Sequence, residues 1–121
     1  MNKKKLLIIE DDDDLRKVLF EGLSNNGYDI SLAENGASAL HLFDQKSFDL
    51  VMTDVRLPDQ DGLQLLDTLK QRSGETPVIL MTGFGTIQHA VAAMRKGAFD
   101  YLVKPFSLEM VDERIKAAIH R

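Results

Sequence analysis

The sequence predicts an α/β chain, a parallel sheet of five strands with helices on both faces. Three observations carry this. Short apolar runs rich in β-branched residues alternate, five times from end to end, with segments whose apolar positions recur at helical spacing. Most of those runs are apolar throughout, as strands covered on both faces are. The chain has 121 residues, 44% of them hydrophobic, which is enough for one core and one domain, residues 1–121. Right-handed crossovers between successive parallel strands then produce a doubly wound, three-layer α/β/α sandwich.

The first strand is read at Leu6 to Ile9, stopped by Glu10. Leu15, Val18, Leu19, Gly22 and Leu23 follow as the stripe of the first helix, with Gly27 closing it. The second strand, Tyr28 to Ala33, alternates Tyr28, Ile30 and Leu32 with Asp29 and Ser31, the pattern of an edge strand with one wet face. Leu40 and Phe43 mark the second helix, and Leu50 to Thr53 the third strand. Leu65, Leu66 and Leu69 mark the third helix, which Gly74 is expected to close, and Val78 to Thr82 the fourth strand. Ile87, Ala90, Val91 and Met94 form the stripe expected to cover the sheet from the fourth helix, closed by Gly97. Phe99 to Val103 is the fifth strand. Ser107 stands at an N-cap position before the last helix, whose stripe is Leu108, Val111, Ile115, Ala118 and Ile119. The methionines read as core filler. His41, His89 and His120 fall on helices and read as surface or interface residues.

Cysteine is absent, which removes thiol nucleophiles, zinc fingers and iron-sulfur ligation and suits a reducing compartment. Fifteen Lys and Arg against nineteen Asp and Glu give a formal charge of −4, so no nucleic-acid contact is expected of this domain. The apolar run after Lys3, Lys4 and Lys5 is too short for a signal peptide or a membrane span. A cytoplasmic location is the expectation.

In an open α/β sheet, ligands gather beyond the carboxyl ends of the strands, where strand order reverses. The first strand runs into Glu10, Asp11, Asp12, Asp13 and Asp14, and the third ends at Asp54. If strands one and three are neighbours, as in the order 2-1-3-4-5, Glu10, Asp11 and Asp54 converge. Two carboxylates about 4 Å apart repel by about 4 kcal/mol at an effective dielectric near 20, so the cluster calls for a cation. Oxygen ligands without His or Cys favour Mg²⁺ or Mn²⁺. Asp13 and Asp14 are better read as solvated residues at the positive end of the first helix. The third strand leads into Val55-Arg56-Leu57-Pro58-Asp59-Gln60-Asp61-Gly62, a turn into the third helix. The fourth ends in Thr82-Gly83-Phe84-Gly85-Thr86 and the fifth in Lys104-Pro105-Phe106. A carboxylate, a hydroxyl, an ammonium and a metal cluster at one sheet edge are the parts that hold a phosphoryl group.

In that order along the whole chain, these residues resemble the receiver domains of two-component response regulators, with the chemotaxis response regulator and its flavodoxin-like fold as the minimal relative. Thr82 to Ile87, Ala90-Val91, Ala93-Met94, Gly97-Ala98 and Lys104-Pro105-Phe106 look most like the amino-terminal receivers of sigma-54-dependent transcription activators. The resemblance implies that Asp54 accepts a phosphoryl group from the phosphohistidine of a sensor histidine kinase. It implies Mg²⁺ held by Asp11, Asp54 and the Arg56 carbonyl, with Glu10 reaching it through water. Lys104, Thr82 and the amides of Val55 and Gly83 would meet the phosphoryl oxygens, and a cis bond would precede Pro105. Thr82 and Tyr101 would form the switch. The face of helix four, strand five and helix five would control an output module outside this chain or form a homodimer. Arg56 and Phe84 are expected to screen the crevice from attacking water.

Two other functions fit parts of the pattern. A haloacid-dehalogenase-like phosphatase would use Asp11 and Asp13 as Asp-x-Asp, but Leu15 stands where that motif wants Thr or Val. A receiver-like adaptor without phosphorylation would lack some of the site positions, and all are present.

Overall fold

A computed structural model describes residues 3–83 and 85–120. The chain alternates β1 (Lys5–Ile9), α1 (Asp13–Asn25), β2 (Asp29–Ala33), α2 (Gly36–Gln45), β3 (Leu50–Asp54), α3 (Gly62–Arg72), β4 (Val78–Thr82), α4 (Ile87–Arg95), β5 (Asp100–Val103) and α5 (Leu108–Ile119). All strand pairs are parallel, in the order β2-β1-β3-β4-β5.

Successive side chains of a strand point to opposite faces, and the core divides accordingly. Leu7, Ile9, Val51, Val78 and Leu80 face one side, under Ala39 of α2, Leu65, Leu66 and Leu69 of α3 and Ala93 of α4. Leu6, Ile8, Leu50, Met52, Ile79 and Met81 face the other, under Leu19 and Leu23 of α1 and Val111, Ile115 and Ala118 of α5. The helices begin on side-chain caps. Asp12 accepts from the Asp14 and Leu15 amides, Asn35 from Ser38, Asp61 from Leu63, Thr86 from His89 and Ser107 from Met110. Each cap serves an amide that has no carbonyl within its own helix.

Five expectations need correction. Gly27 and Gly97 do take positive φ, 97° and 100°, but Gly74 does not. α3 closes earlier, on the Ser73 amide donating to the Leu69 carbonyl, while the Lys70 ammonium binds the Gly74 and Thr76 carbonyls. Val103 of β5 is exposed, because β5 is the second edge of the sheet. Val18 lies on the solvent side of α1. Met94 and Met110 are exposed rather than core. The stripe of α4 is real but faces outward: Ile87 is 81% exposed and Val91 and Met94 are exposed with it, whereas the smaller Ala93 packs on the sheet.

Gly62 opens α3 directly against the strand it follows. A Cβ there would stand 2.6 Å from Val55 Cα and 2.7 Å from the Asp54 carbonyl oxygen, backbone atoms that cannot rotate away. Gly62→Ala is expected to lose about 1–3 kcal/mol by overpacking, read as a lower urea midpoint. An unchanged midpoint would show that the turn yields freely.

Candidate functional site

Parallel strands deliver their carboxyl ends to one edge, and the register says what meets there. Ile9 pairs with Thr53, Asp54 with Met81, and Thr82 with Val103. Glu10 and Asp11, just past β1, therefore lie beside Asp54 at the tip of β3, with Thr82 on β4 and Lys104 just past β5. Glu10, Asp11 and Asp54 each present a carboxylate oxygen, all within 4.8 Å of one another. Glu10 and Asp54 are buried and Asp11 is exposed.

Lys104 reaches into this cluster. Its Nζ donates to Glu10 Oε1 at 2.7 Å and to Asp54 Oδ2 at 2.8 Å, while its amide donates to the Thr82 carbonyl at 2.7 Å. The Lys104-Pro105 bond is cis. Burial pulls the ammonium down, but hydrogen bonds to Asp54 and Glu10 outweigh it and hold the group above the usual lysine range. Burial pushes Glu10 up to about 7, against the pull of the Lys104 bond and the Asp12 amide and with the push of Asp54. The Asp12 amide donates to Glu10 Oε2 and Arg16 to the Glu10 carbonyl, at 3.1 and 2.8 Å.

A carboxyl whose folded pKa is raised favours the fold below its unfolded value of about 4.5, and that contribution is lost as pH rises through about 7. In a chelator, Glu10 is therefore expected to lower the urea midpoint between pH 5 and pH 8, and Glu10→Gln to flatten that fall. Identical slopes in both proteins would contradict it.

The sequence expectation for the amides changes in one respect. The Val55 N–H is already engaged, donating to the Met81 carbonyl at 2.9 Å as β3 extends its ladder. It is the Arg56 N–H that faces the carboxylate, at 3.2 Å from Asp54 Oδ1. A Cβ on Gly83 would meet open space. Phe84 lies outside the described residues. Arg56 lines a cleft of about 710 Å³ between the β3–α3 loop and α4, together with Thr82, Thr86 and His89.

Sequence reasoning missed two links. His89 is half-buried rather than a plain surface residue, and its Nδ1 lies 2.7 Å from the Tyr101 hydroxyl. Asp59 bonds the Gly36 and Ala37 amides of α2. Neither has a local signal, since the partners lie on other elements.

The donor set fits a hard divalent cation: three carboxylates, one of them solvent-facing, with no soft ligand. A 2-1-3-4-5 sheet that gathers acidic residues from β1 and β3, a threonine from β4 and a lysine from β5 at one edge defines the receiver class of signalling domain. The chain belongs to the response regulator receiver domain family, whose model matches residues 6–116. It is 38% identical over 115 residues to the regulatory protein AtoC of Escherichia coli (strain K12), covering 95% of this chain and 25% of AtoC. It is 38% identical over 119 residues to the response regulator protein PilR of Pseudomonas aeruginosa, covering 98% of this chain and 27% of PilR. The chain thus spans about a quarter of these relatives' length. Among solved structures, the beryllofluoride-activated NtrC4 receiver domain dimer matches with a TM-score of 0.92 at 33% identity, over 96% of both chains. The family is regulatory, and its members bind Mg²⁺ in an acidic pocket.

Proposed function

We propose that Asp54 is the phosphoacceptor of this receiver and that Glu10, Asp11, Asp54 and the Arg56 carbonyl hold Mg²⁺ beside it. The observation that carries the reading is the buried Asp54 carboxylate set among Glu10, Asp11 and the Lys104 ammonium at the carboxyl edge of the sheet. An Asp54 oxygen attacks the phosphorus of a sensor kinase's phosphohistidine. The P–N bond breaks, the imidazole leaves with its electron pair, and an acyl phosphate forms. Bound Mg²⁺ supplies positive charge against the phosphoryl oxygens. Lys104 exchanges a carboxylate for a phosphoryl oxygen, Thr82 donates its hydroxyl to another, and the Gly83 and Arg56 amides serve as further donors. Hydrolysis of the acyl phosphate resets the domain.

The modification adds about −1.5 to −2 charge and three acceptor oxygens. Drawing the Thr82 hydroxyl toward them vacates space beside it, and Tyr101 of β5 moves to fill that space. The outward apolar face of α4, with Val103 of β5 and Met110 of α5, is then the surface that changes. An exposed apolar patch of this kind is a contact surface, here for an output domain or a second copy. Control of transcription fits its likeness to regulators such as AtoC. No helix among the described residues is long and apolar enough to cross a membrane, and a cytoplasmic site of action fits the partner kinase's phosphohistidine.

Incubation with Mg²⁺ and acetyl phosphate, followed by intact mass, tests this. One added phosphoryl group is expected, and none when a chelator is present. Uptake that ignores the chelator, or no uptake at all, would overturn it.

A further inference from the structure

The β3–α3 loop, residues 55–61, carries the Arg56 peptide that touches Asp54, and it is anchored at both ends. At its base the Gly62 amide donates to the Val55 carbonyl at 2.6 Å, and Arg56 and Asp61 form an antiparallel bridge. Its tip is tied to another element. Asp59 Oδ1 accepts from the Gly36 amide and Oδ2 from the Ala37 amide, both at 2.9 Å. These are the first two amides of α2, which no carbonyl of their own helix can serve. The ordinary cap of that helix is already present in Asn35, which accepts from Ser38 at 2.8 Å, so Asp59 is a second grip supplied from 22 and 23 residues away. Gln60 lies across the same helix start. A Cβ on Gly36 would stand 2.1 Å from its Nε2, so glycine at that position makes room for the Gln60 side chain. Although Asp59 is exposed, the bond from the Gly36 amide is the largest influence on its carboxyl and holds it below the usual range. The carboxylate is thus the bonded form.

We propose that Asp59, by gripping the Gly36 and Ala37 amides of α2, is a positioning residue that keeps the β3–α3 loop and its Arg56 peptide in place against Asp54. The inference rests on the phosphoacceptor reading and deepens it, because it gives α2 and the loop tip a part in metal binding and phosphoryl uptake. Groups that orient a metal's ligands from outside the coordination sphere typically govern its affinity by 10–100-fold. Since Asp59 acts on the Arg56 peptide through two intervening residues, Leu57 and Pro58, the lower end of that range is expected.

The test compares Asp59→Ala with Asn35→Ala in the unphosphorylated chain. Each removes hydrogen bonds from the start of α2, but only the first frees the loop. Calorimetric titration with Mg²⁺ should show roughly tenfold weaker binding in Asp59→Ala and near-wild-type binding in Asn35→Ala, with both variants folded by circular dichroism. Asp59→Asn, which keeps one acceptor oxygen, should fall between wild type and Asp59→Ala. Uptake from acetyl phosphate at subsaturating Mg²⁺ should slow in the same order. Wild-type affinity in Asp59→Ala would overturn the inference, and so would equal losses in Asp59→Ala and Asn35→Ala, which would reduce the grip to helix stability. If the wild type binds Mg²⁺ but takes up no phosphoryl group, the phosphoacceptor reading fails separately, and the titration still decides the role of Asp59. If the wild type does not bind Mg²⁺, both fall.

Discussion

Asp54→Asn is expected to abolish phosphoryl uptake from acetyl phosphate while leaving the protein folded. The amide has almost the same volume as the carboxylate, and its oxygen can still accept from Lys104 Nζ, which lies 2.8 Å from Asp54 Oδ2 in the wild type. It lacks the nucleophilic oxygen that forms the acyl phosphate. In a chelator the substitution should not lower the melting temperature, because it removes one member of the clustered carboxylates Glu10, Asp11 and Asp54. A pair of such charges about 4 Å apart repels by about 4 kcal/mol at an effective dielectric near 20, and relief of the repulsion from both Glu10 and Asp11 works against the loss of the Lys104–Asp54 ion pair. Excess Mg²⁺ should stabilise the wild type, by about 2.7 kcal/mol at a hundredfold excess over Kd, and the variant less. A variant that still gains one phosphoryl group would remove Asp54 from the reaction.

Lys104→Met should have the largest effect on stability. Its ammonium joins Glu10, which is fully buried, to Asp54, which is nearly so. Removing one partner of a buried ion pair typically costs about 3–5 kcal/mol, because the other charge is left without compensation. Here the loss is expected near the lower end, since Glu10 can take up a proton and is already pushed up to about 7 by burial. The deficit should therefore shrink at pH 5 and under excess Mg²⁺, each of which removes or offsets negative charge in the notch. Phosphoryl uptake should slow as well, through loss of a donor to the transferred group. Equal urea midpoints for wild type and Lys104→Met in chelator at pH 8 would contradict this.

The strands were legible because each is an apolar run of its own, and the site edge followed once the 2-1-3-4-5 order of the receiver family was taken over by resemblance. Once Leu6 to Ile9 and Leu50 to Thr53 are neighbours, the residues that follow them must meet, and Glu10, Asp11 and Asp54 do. Helical spacing was legible as well, but periodicity reports a stripe without saying which way it faces. In α4 the larger apolar residues Ile87, Val91 and Met94 point to solvent and small Ala93 lies on the sheet. The same limit applies to Val103, whose exposure follows from the edge position of β5. Non-local hydrogen bonds left no trace in the sequence pattern. The Val55 amide, expected to serve the phosphoryl group, belongs to the β3–β4 ladder, and His89 meets Tyr101 across two elements. Pro58 and Gly62 marked a turn, yet the residue that ties it down, Asp59, needs α2 to be seen.

The most direct measurement places the phosphoryl group on the chain. After incubation with Mg²⁺ and acetyl phosphate, borohydride reduces an acyl phosphate of aspartate to homoserine, and peptide mass mapping locates it. The account predicts homoserine at position 54 and at no other residue. Homoserine at position 11, or a phosphoryl group carried by a histidine, would contradict it.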